Sequence, residues 1–381
     1  MIPLVVRSHY SLMWGVPGVE QLVRAARRLG YDRLALTDTD NLYGLWSFLA
    51  ACRREGVTPI VGTELTDPHD PSRGPRATLL VTADEGFRRL CRLLTRRHTD
   101  PDFQMTPALG AAAGDGEASG LVLLTSSRAL LRELLAAGVP ANAALPRRAG
   151  PGAVRLRDDA RRLGVPLVAV PGSFLLTPGD RELHQVLRAI DRNTSLSRLG
   201  PEDQAPPDAW LASPDEYARR FALFPETLPA SVALAERCQG YAGPHHGTVL
   251  PPWHDPRGRT AAELLREEAY QGARRRYGDD LAEPVVERLE HELRQIEAKG
   301  FSAYFLVVQE IVRHSPRTCG RGSGAASLVA YCLEITNVCP LAHDLYFERF
   351  LNPGRTDPPD IAVDFAWDER DGVIREVLAR H

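Results

Sequence analysis

Short apolar runs alternate with helical patterns over the first half of this chain. Each run has a length typical of a buried strand, and we expect parallel strands that are covered on both faces. The predicted strands are 34–37, 59–62, 79–81, 121–124 and 167–170. Between them, apolar residues recur on one helical face in segments 19–26 and 85–97. Repeated strand–helix units predict an α/β domain whose sheet is either open or closed into a barrel.

The pattern changes twice further along the chain. Residues 106–119 are rich in glycine and alanine, and we expect a loop or insertion there. From 199 to 260 the chain is rich in proline, with one helical pattern at 228–238, which is typical of a connector between domains. Helices are then predicted at 260–278, 284–299 and 304–313.

The composition is that of an ordinary globular protein, with 44% hydrophobic and 25% charged residues. No apolar run is long enough to cross a bilayer and no secretory signal is visible, so we expect a cytoplasmic protein without a membrane partner. The six cysteines form no C-x-x-C pair, which favours reduced thiols over disulfides or a zinc site. The net charge of -3 neither predicts nor excludes nucleic-acid binding.

A glycine-rich segment, 320–327, runs into an apolar helical pattern that starts at Leu328. Glycine lets a backbone approach a ligand closely, and the N–H groups at a helix start favour phosphate. Arg321 adds a guanidinium fork that suits phosphate oxygens. Taken alone, this motif fits either a phosphate-binding loop or a tight turn kept for packing.

Two further motifs follow this loop. The string Phe-Glu-Arg-Phe-Leu-Asn-Pro covers 347–353 and leads to Arg355, and an acidic strand pattern covers 358–365. This order resembles the palm of bacterial C-family DNA polymerases, the alpha subunit of DNA polymerase III and its error-prone paralogue, over roughly 285–381. The wording around the acidic strand is closer to the error-prone paralogue. The resemblance implies a polymerase-beta-like palm of the α+β class and DNA-directed DNA polymerase activity in replication or repair.

The same resemblance assigns roles to single residues. It implies that Arg321, Gly322, Ser323 and Arg355 contact the triphosphate of an incoming dNTP, and that DNA is the partner. It also implies catalytic Mg²⁺, because in-line nucleotidyl transfer uses two divalent ions that carboxylates bridge.

The acidic strand departs from the family pattern. Alternate strand residues point to one face, so two aspartates two positions apart can share a metal pair. Asp364 occupies one of these positions, but Ala362 occupies the other, and a methyl group cannot ligate magnesium. Asp360 lies one pleat earlier, and we do not expect it to substitute. We therefore expect Asp364 to be the catalytic and metal-binding remnant of a degenerate site.

The family's third catalytic aspartate, thumb and fingers lie beyond the last residue of this sequence. We expect a truncated N-terminal portion that is inactive alone and active only if a second chain carries the remaining polymerase. The alternative is a non-catalytic relic that keeps a nucleotide- or partner-binding surface.

The first half of the chain resembles the polymerase-and-histidinol-phosphatase (PHP) domain that precedes this palm. The matching segments are 10–12, 35–38, 42–44 and 61–64. The resemblance implies a seven-stranded β/α barrel over 1–198, followed by the connector, 199–260, and by a partial palm with a helical lead-in, 261–381.

Most of the metal ligands that the PHP resemblance implies are replaced. The ligand positions fall here on Val5, Arg7, Trp14, Thr39 and 172–174. Asp38 and Glu64 remain as remnants of the site, so we expect the PHP metals to be absent and a metal-dependent phosphoesterase to be the less favoured alternative. We expect the Arg7 guanidinium to lie where a metal ion sat and to pair with Asp38 or Glu64. The adjacent residues His245-His246 suggest a metal pair, but a proline-rich linker favours exposed side chains.

Overall fold

The computed structural model describes residues 1–71, 74–146, 151–244, 253, 255–355 and 358–380. The chain forms two compact units, Met1–His245 and His246–His381. The first part of the predicted connector contributes two helices to the first unit, and the domain boundaries that we expected remain a prediction. The His245-His246 pair lies outside the described residues.

Within the described part of the first unit, six strands form one sheet in chain order. They are β1 (Arg33–Leu36), β2 (Thr58–Thr66), β3 (Arg76–Val81), β4 (Leu121–Thr125), β5 (Asn142–Leu145) and β6 (Leu167–Ala169). The prediction of parallel strands throughout is wrong at β3, which runs antiparallel to both neighbours. The link 67–75 is too short for the crossover that a parallel pair needs, so β2 and β3 pair as a hairpin.

Helices accompany these strands. They are α1 (Val19–Arg28), α2 (Leu45–Glu55), α3 (Asp84–Thr99), α4 (Met105–Ala113), α5 (Arg128–Ala136), α6 (Pro151–Leu163), α7 (Arg181–Asp191), α8 (Pro214–Arg220) and α9 (Thr227–Arg237). The loop predicted at 106–119 is wrong, because α4 and a 3₁₀ turn at Gly116–Ser119 cover most of it. Alanine is the strongest helix former, and Leu109 buries one face of α4 in the core.

The N-terminal segment hydrogen-bonds to both edges of this sheet. On one side the Thr37 N–H donates to the Val6 carbonyl at 2.8 Å. On the other side the Arg7 N–H donates to the Ser173 carbonyl at 2.9 Å, and the Ser173 N–H donates to the Val5 carbonyl at 3.0 Å. The segment therefore lies where a seventh strand would lie, and the curled sheet has the β/α-barrel class that the sequence predicts.

The second unit is mostly helical. Its elements are α10 (Ala261–Tyr277), α11 (Glu283–Ala298), α12 (Ser302–Val312), β7 (Thr318–Arg321), α13 (Leu328–Cys332), β8 (Ala362–Phe365) and α14 (Trp367–Arg380). Thr260 caps α10 by accepting from the Glu263 N–H at 3.2 Å. Gly272 of α10 packs so closely on α13 that a Cβ there would lie 1.9 Å from the Cys332 carbonyl oxygen. Among the described helices of both units, none combines the length and the hydropathy that a membrane crossing requires.

Candidate functional site

Strands β7 and β8 bring the glycine-rich loop and the acidic strand together. They pair antiparallel, with Arg321 opposite Ala362 and Cys319 opposite Asp364. The Arg321 Nε donates to the Asp364 carboxylate at 2.9 Å, and both side chains are more than half exposed. The arginine expected to hold phosphate and the carboxylate expected to hold metal therefore neutralise each other in this structure.

The side chains on β8 do not fit a pair of catalytic metal ions. Ala362 offers no oxygen, Asp360 is exposed two positions before the strand, and the Asp364 carboxylate already accepts from Arg321. Over the ranges that the structure describes, no group of three or more His, Cys, Asp or Glu side chains could hold a metal ion. Oxygen ligands on one face are the minimum for magnesium, so we assign no chemical step to a metal here.

The glycine-rich loop forms a single 3₁₀ turn, Gly322–Ala326, between β7 and α13. Gly322 has a φ of 70°, in the left-handed region that side chains with a Cβ rarely adopt. Arg321 and Gly322 are exposed and Ser323 is half-buried. Three of the four predicted triphosphate contacts therefore lie together at the surface, at the end of β7.

The start of α13 is occupied by a carboxylate of the protein itself. Glu292, fully buried on α11, accepts from the Leu328 N–H at 2.9 Å, the Val329 N–H at 3.0 Å and the Ser327 hydroxyl at 2.8 Å. The Arg288 Nε also donates to it, at 2.6 Å. Burial raises the pKa of Glu292, but all four neighbours donate and so favour the ionised form. The expectation that these helix N–H groups bind phosphate is therefore wrong, since a buried carboxylate already takes that place.

Arg355 is turned back onto its own loop. Its Nη1 donates to the Phe350 carbonyl at 2.8 Å and its Nη2 to the Pro358 carbonyl at 3.4 Å. The Lys299 ammonium in turn donates to the Arg355 carbonyl at 2.6 Å. The hydrogen bonds of the Arg355 guanidinium to described residues are thus to backbone carbonyls.

A second candidate site lies in the first unit, at the carboxyl ends of β2, β4 and β6. It is a cavity of about 300 Å³ whose wall includes Arg7, Glu64 and Arg76 together with apolar side chains such as Leu124 and Phe174. We call it the barrel cavity. It occupies the end of the sheet where the family resemblance places metal ligands.

Two arginines hold Glu64 in the wall of the barrel cavity. The Arg7 Nη2 contacts one Glu64 oxygen, and the Arg76 Nη1 donates to the other at 2.7 Å. Arg7 and Glu64 are both buried. Burial alone would raise the pKa of Glu64, but the charges of Arg7 and Arg76 outweigh it and lower this pKa below its usual value. The predicted pairing of Arg7 with Glu64 is confirmed.

Asp38 is engaged by hydroxyl and amide donors. It accepts from the Ser8 N–H at 2.7 Å, the Ser8 hydroxyl at 2.8 Å and the Ser11 hydroxyl at 2.7 Å. Burial raises the pKa of Asp38, while these donors and Arg7 oppose the rise. With the lone pairs of Asp38 and Glu64 used by protein donors, and with Val5 and Trp14 at other ligand positions, the barrel residues do not fit a metal cluster.

His184 is a buried polar residue that no sequence motif singles out. Its Nδ1 lies 2.8 Å from the Trp14 carbonyl, and its Nε2 accepts from the Ala205 N–H at 2.7 Å. These partners place the proton on Nδ1 of a neutral ring. Burial lowers the pKa of His184. The ring therefore joins two loops beside the barrel cavity, a role that depends on tertiary contacts far apart in the chain.

Comparison with known proteins matches both halves of the chain. Residues 263–381 match the bacterial DNA polymerase III alpha NTPase domain, and residues 3–136 match the PHP domain. An error-prone DNA polymerase of Mycobacterium tuberculosis (strain ATCC 25618 / H37Rv) is 35% identical over 418 residues, which cover 99% of this chain and 38% of that protein.

The DNA polymerase III subunit alpha of Bacillus subtilis (strain 168) is 32% identical over 408 residues, covering 100% of this chain and 36% of that protein. The chain thus spans less than half the length of these relatives. Among solved structures, an amidohydrolase from Chromobacterium violaceum aligns weakly, with a TM-score of 0.33 and 16% identity over 45% of this chain and 87% of that chain.

Proposed function

Because the chain belongs to the family of bacterial DNA polymerase III alpha subunits and error-prone DNA polymerases, we propose that it takes part in DNA synthesis as a nucleotide-binding chain whose strand β8 does not catalyse nucleotidyl transfer. The observation that carries this proposal is the environment of Arg321. This arginine lies opposite Ala362 in the β7–β8 pair and forms an ion pair with Asp364. The expected partners are a dNTP and DNA.

A phosphate group can replace the Asp364 carboxylate as the partner of Arg321 at a small cost in free energy. An ion pair between exposed side chains is worth roughly 0–1 kcal/mol, because water screens both charges. A triphosphate brings more negative charge and more acceptor oxygens than one carboxylate, so it can compete for Arg321. Gly322 carries no Cβ, and no atom lies within 4 Å of the position that a Cβ would occupy, so the space beside this residue is open. Without metal neutralisation we expect weak binding, with a Kd of about 0.1–1 mM.

Binding is tested by titrating a dNTP into the wild-type chain and into Arg321→Ala. We expect Arg321→Ala to weaken binding about tenfold or more, since it removes a charge-assisted contact. Arg370→Ala is a matched control, because Arg370 is an exposed arginine of α14 paired with Asp371. Equal affinity in the wild type and Arg321→Ala would show that the loop is structural only.

Catalysis is tested by primer extension with Mg²⁺ and dNTPs, where we expect no template-directed incorporation by this chain. A metal-binding measurement tests whether Ala362 is the reason for the missing activity. Ala362→Asp should raise the affinity for Mn²⁺ above that of the wild type, because it restores two carboxylates on one strand face. Extension by the wild-type chain would contradict the proposal directly, and an unchanged Mn²⁺ affinity in Ala362→Asp would show that Ala362 is not the missing ligand.

A further inference from the structure

Helix α14 is fixed to the second unit along one face. On that face Val373 is buried and Glu369 is half-buried. The opposite face carries Trp367, Ile374 and Leu378, whose exposed fractions are 86%, 48% and 76%. Large apolar side chains grouped on one surface are costly in water and are typical of an interaction site. This face of α14 therefore calls for a partner that covers it.

The exposed side chains follow the spacing of a seam between two helices. From Trp367 the steps are four residues to Asp371, three to Ile374 and four to Leu378. Alternating steps of four and three residues place side chains on one stripe, along which two helices pack side by side. We call these four residues the α14 stripe. Because the stripe extends over most of α14, the partner that matches it best is another helix.

The charges beside the α14 stripe complement a second copy of the same helix that runs in the opposite direction. Asp368 and Arg375 are seven residues apart and flank the stripe on one side. In an antiparallel pair, Asp368 of one copy therefore faces Arg375 of the other, and two-fold symmetry repeats the contact. The Arg375 Nε donates to the Asp371 carbonyl at 3.1 Å, and within the described ranges this guanidinium has no carboxylate partner. Asp368 accepts from Arg317 at 2.6 Å and keeps lone pairs for a second donor.

A parallel copy of α14 would bring like charges together. In that arrangement Asp371 of one helix would lie on Asp371 of the other, and Arg370 would lie beside Arg375. Like charges that face each other across an interface weaken it. In the antiparallel arrangement Asp371 lies next to Ile374 instead, and the tryptophan at one end of the stripe covers the leucine at the other end. The antiparallel arrangement therefore fits both the apolar stripe and the charges beside it.

We propose that this chain forms a two-fold symmetric homodimer in which the α14 stripes of two copies pack antiparallel. Such an interface is closed, because each stripe is covered by the other and no apolar face is left for a third copy. One pair of helices is smaller than a standard protein interface, and Asp371 lies at its centre. We therefore expect a weak dimer, with a Kd of about 10–100 µM. The dimer does not depend on nucleotide binding at the end of β7.

The first experiment is sedimentation equilibrium of the full 381-residue chain over about 1–300 µM, a range that brackets the expected Kd. We expect a monomer–dimer equilibrium in the wild type. Leu378→Glu should weaken association about tenfold or more, because it places a carboxylate in the apolar seam. Leu223→Glu is the matched control, since Leu223 is a leucine of the first unit that is 73% exposed, and it should associate as the wild type does. Thermal unfolding establishes that each variant is folded.

The second experiment exchanges the charges and tests the direction of the helices. Asp368→Arg and Arg375→Asp should each weaken self-association about fivefold or more, because like charges then face each other twice. An equal mixture of these two variants should associate within about twofold of the wild type, since the mixed pair recovers an opposite-charge contact on both copies. A wild-type chain that stays monomeric over the whole range would leave the α14 face to solvent or to a different protein and would overturn the proposal. So would equal weakening by Leu378→Glu and Leu223→Glu, or a mixture that associates no better than its two components.

Discussion

Removal of the Glu292 side chain should destabilise the second unit. In Glu292→Ala the buried N–H groups of Leu328 and Val329 lose their acceptor, and Arg288 loses its carboxylate. Breaking a buried ion pair on one side costs about 3–5 kcal/mol, and the cost here lies toward the lower end because Arg288 is 20% exposed and keeps the Ala326 and Leu345 carbonyls as acceptors. Each unpaired buried N–H adds about 1–3 kcal/mol, partly offset when the helix start relaxes toward water. We expect a net loss of about 3–5 kcal/mol in the free energy of unfolding.

Glu292→Gln separates charge from shape. The amide keeps one acceptor oxygen and nearly the same volume, but its NH₂ group meets donors only. We therefore expect a smaller loss, of about 1.5–3 kcal/mol. Glu287→Gln on the same helix is the control, because Glu287 is exposed and should change stability by less than about 0.5 kcal/mol.

The assay combines urea unfolding with hydrogen exchange, since the two units need not unfold together. Exchange at the peptide covering 326–333 should rise strongly in Glu292→Ala and only moderately in Glu292→Gln. Peptides of the first unit should exchange as in the wild type. A loss below about 1 kcal/mol in Glu292→Ala, with unchanged exchange over α13, would refute the reasoning, because it would mean that the buried carboxylate does not hold the helix start.

Three further predictions concern the rest of the molecule. Dialysis against a chelator should leave the melting temperature unchanged, because protein donors occupy Asp38 and Glu64; a stoichiometric metal content by elemental analysis would contradict this. The lowered pKa of His184 means that its neutral ring stabilises the fold above its ordinary pKa of about 6.5, and that this contribution is lost as pH falls through the folded-state pKa. His184→Gln should therefore melt lower at pH 8 and show a shallower fall in melting temperature toward pH 5, whereas parallel curves would exclude the role. Gly272→Ala should destabilise the second unit by about 1–3 kcal/mol or more because its Cβ meets the Cys332 carbonyl, while Gly372→Ala, with open space on α14, should be neutral or stabilising in the same urea assay.

Local patterns predicted much of the fold. The amphipathic repeats of α1, α3 and α11 agree with the structure because each buries one face, and that requirement is visible in the spacing of apolar residues. Strand β5 was not predicted, because Asn142–Leu145 is short and half of its residues are alanine, which has a low strand propensity. The direction of β3 was also hidden, since strand pairing is a tertiary property.

At the candidate sites too, some contacts could be predicted from the sequence and others could not. The pairing of Arg7 with Glu64 followed from the chemistry of the two residues, since an arginine among former metal ligands needs a carboxylate. The role of Glu292 did not, because it caps residues 35 to 37 positions further along the chain. A glycine-rich turn before a helix indicates available N–H groups only when no distant side chain reaches them.

The N-terminal segment that joins both edges of the barrel sheet has a consequence for the order of assembly. Its partners include Thr37, which is near in sequence, and Ser173, which is far. The ring of strands cannot be completed before the chain around residue 173 is present, so its closing step must bear the entropy of a long loop. Until then the edge of the N-terminal segment that pairs with Ser173 is exposed to pairing with other chains. A substitution that slows the folding of the chain after β5 would therefore cause aggregation through the N-terminal segment, which is far in sequence from the substituted residue.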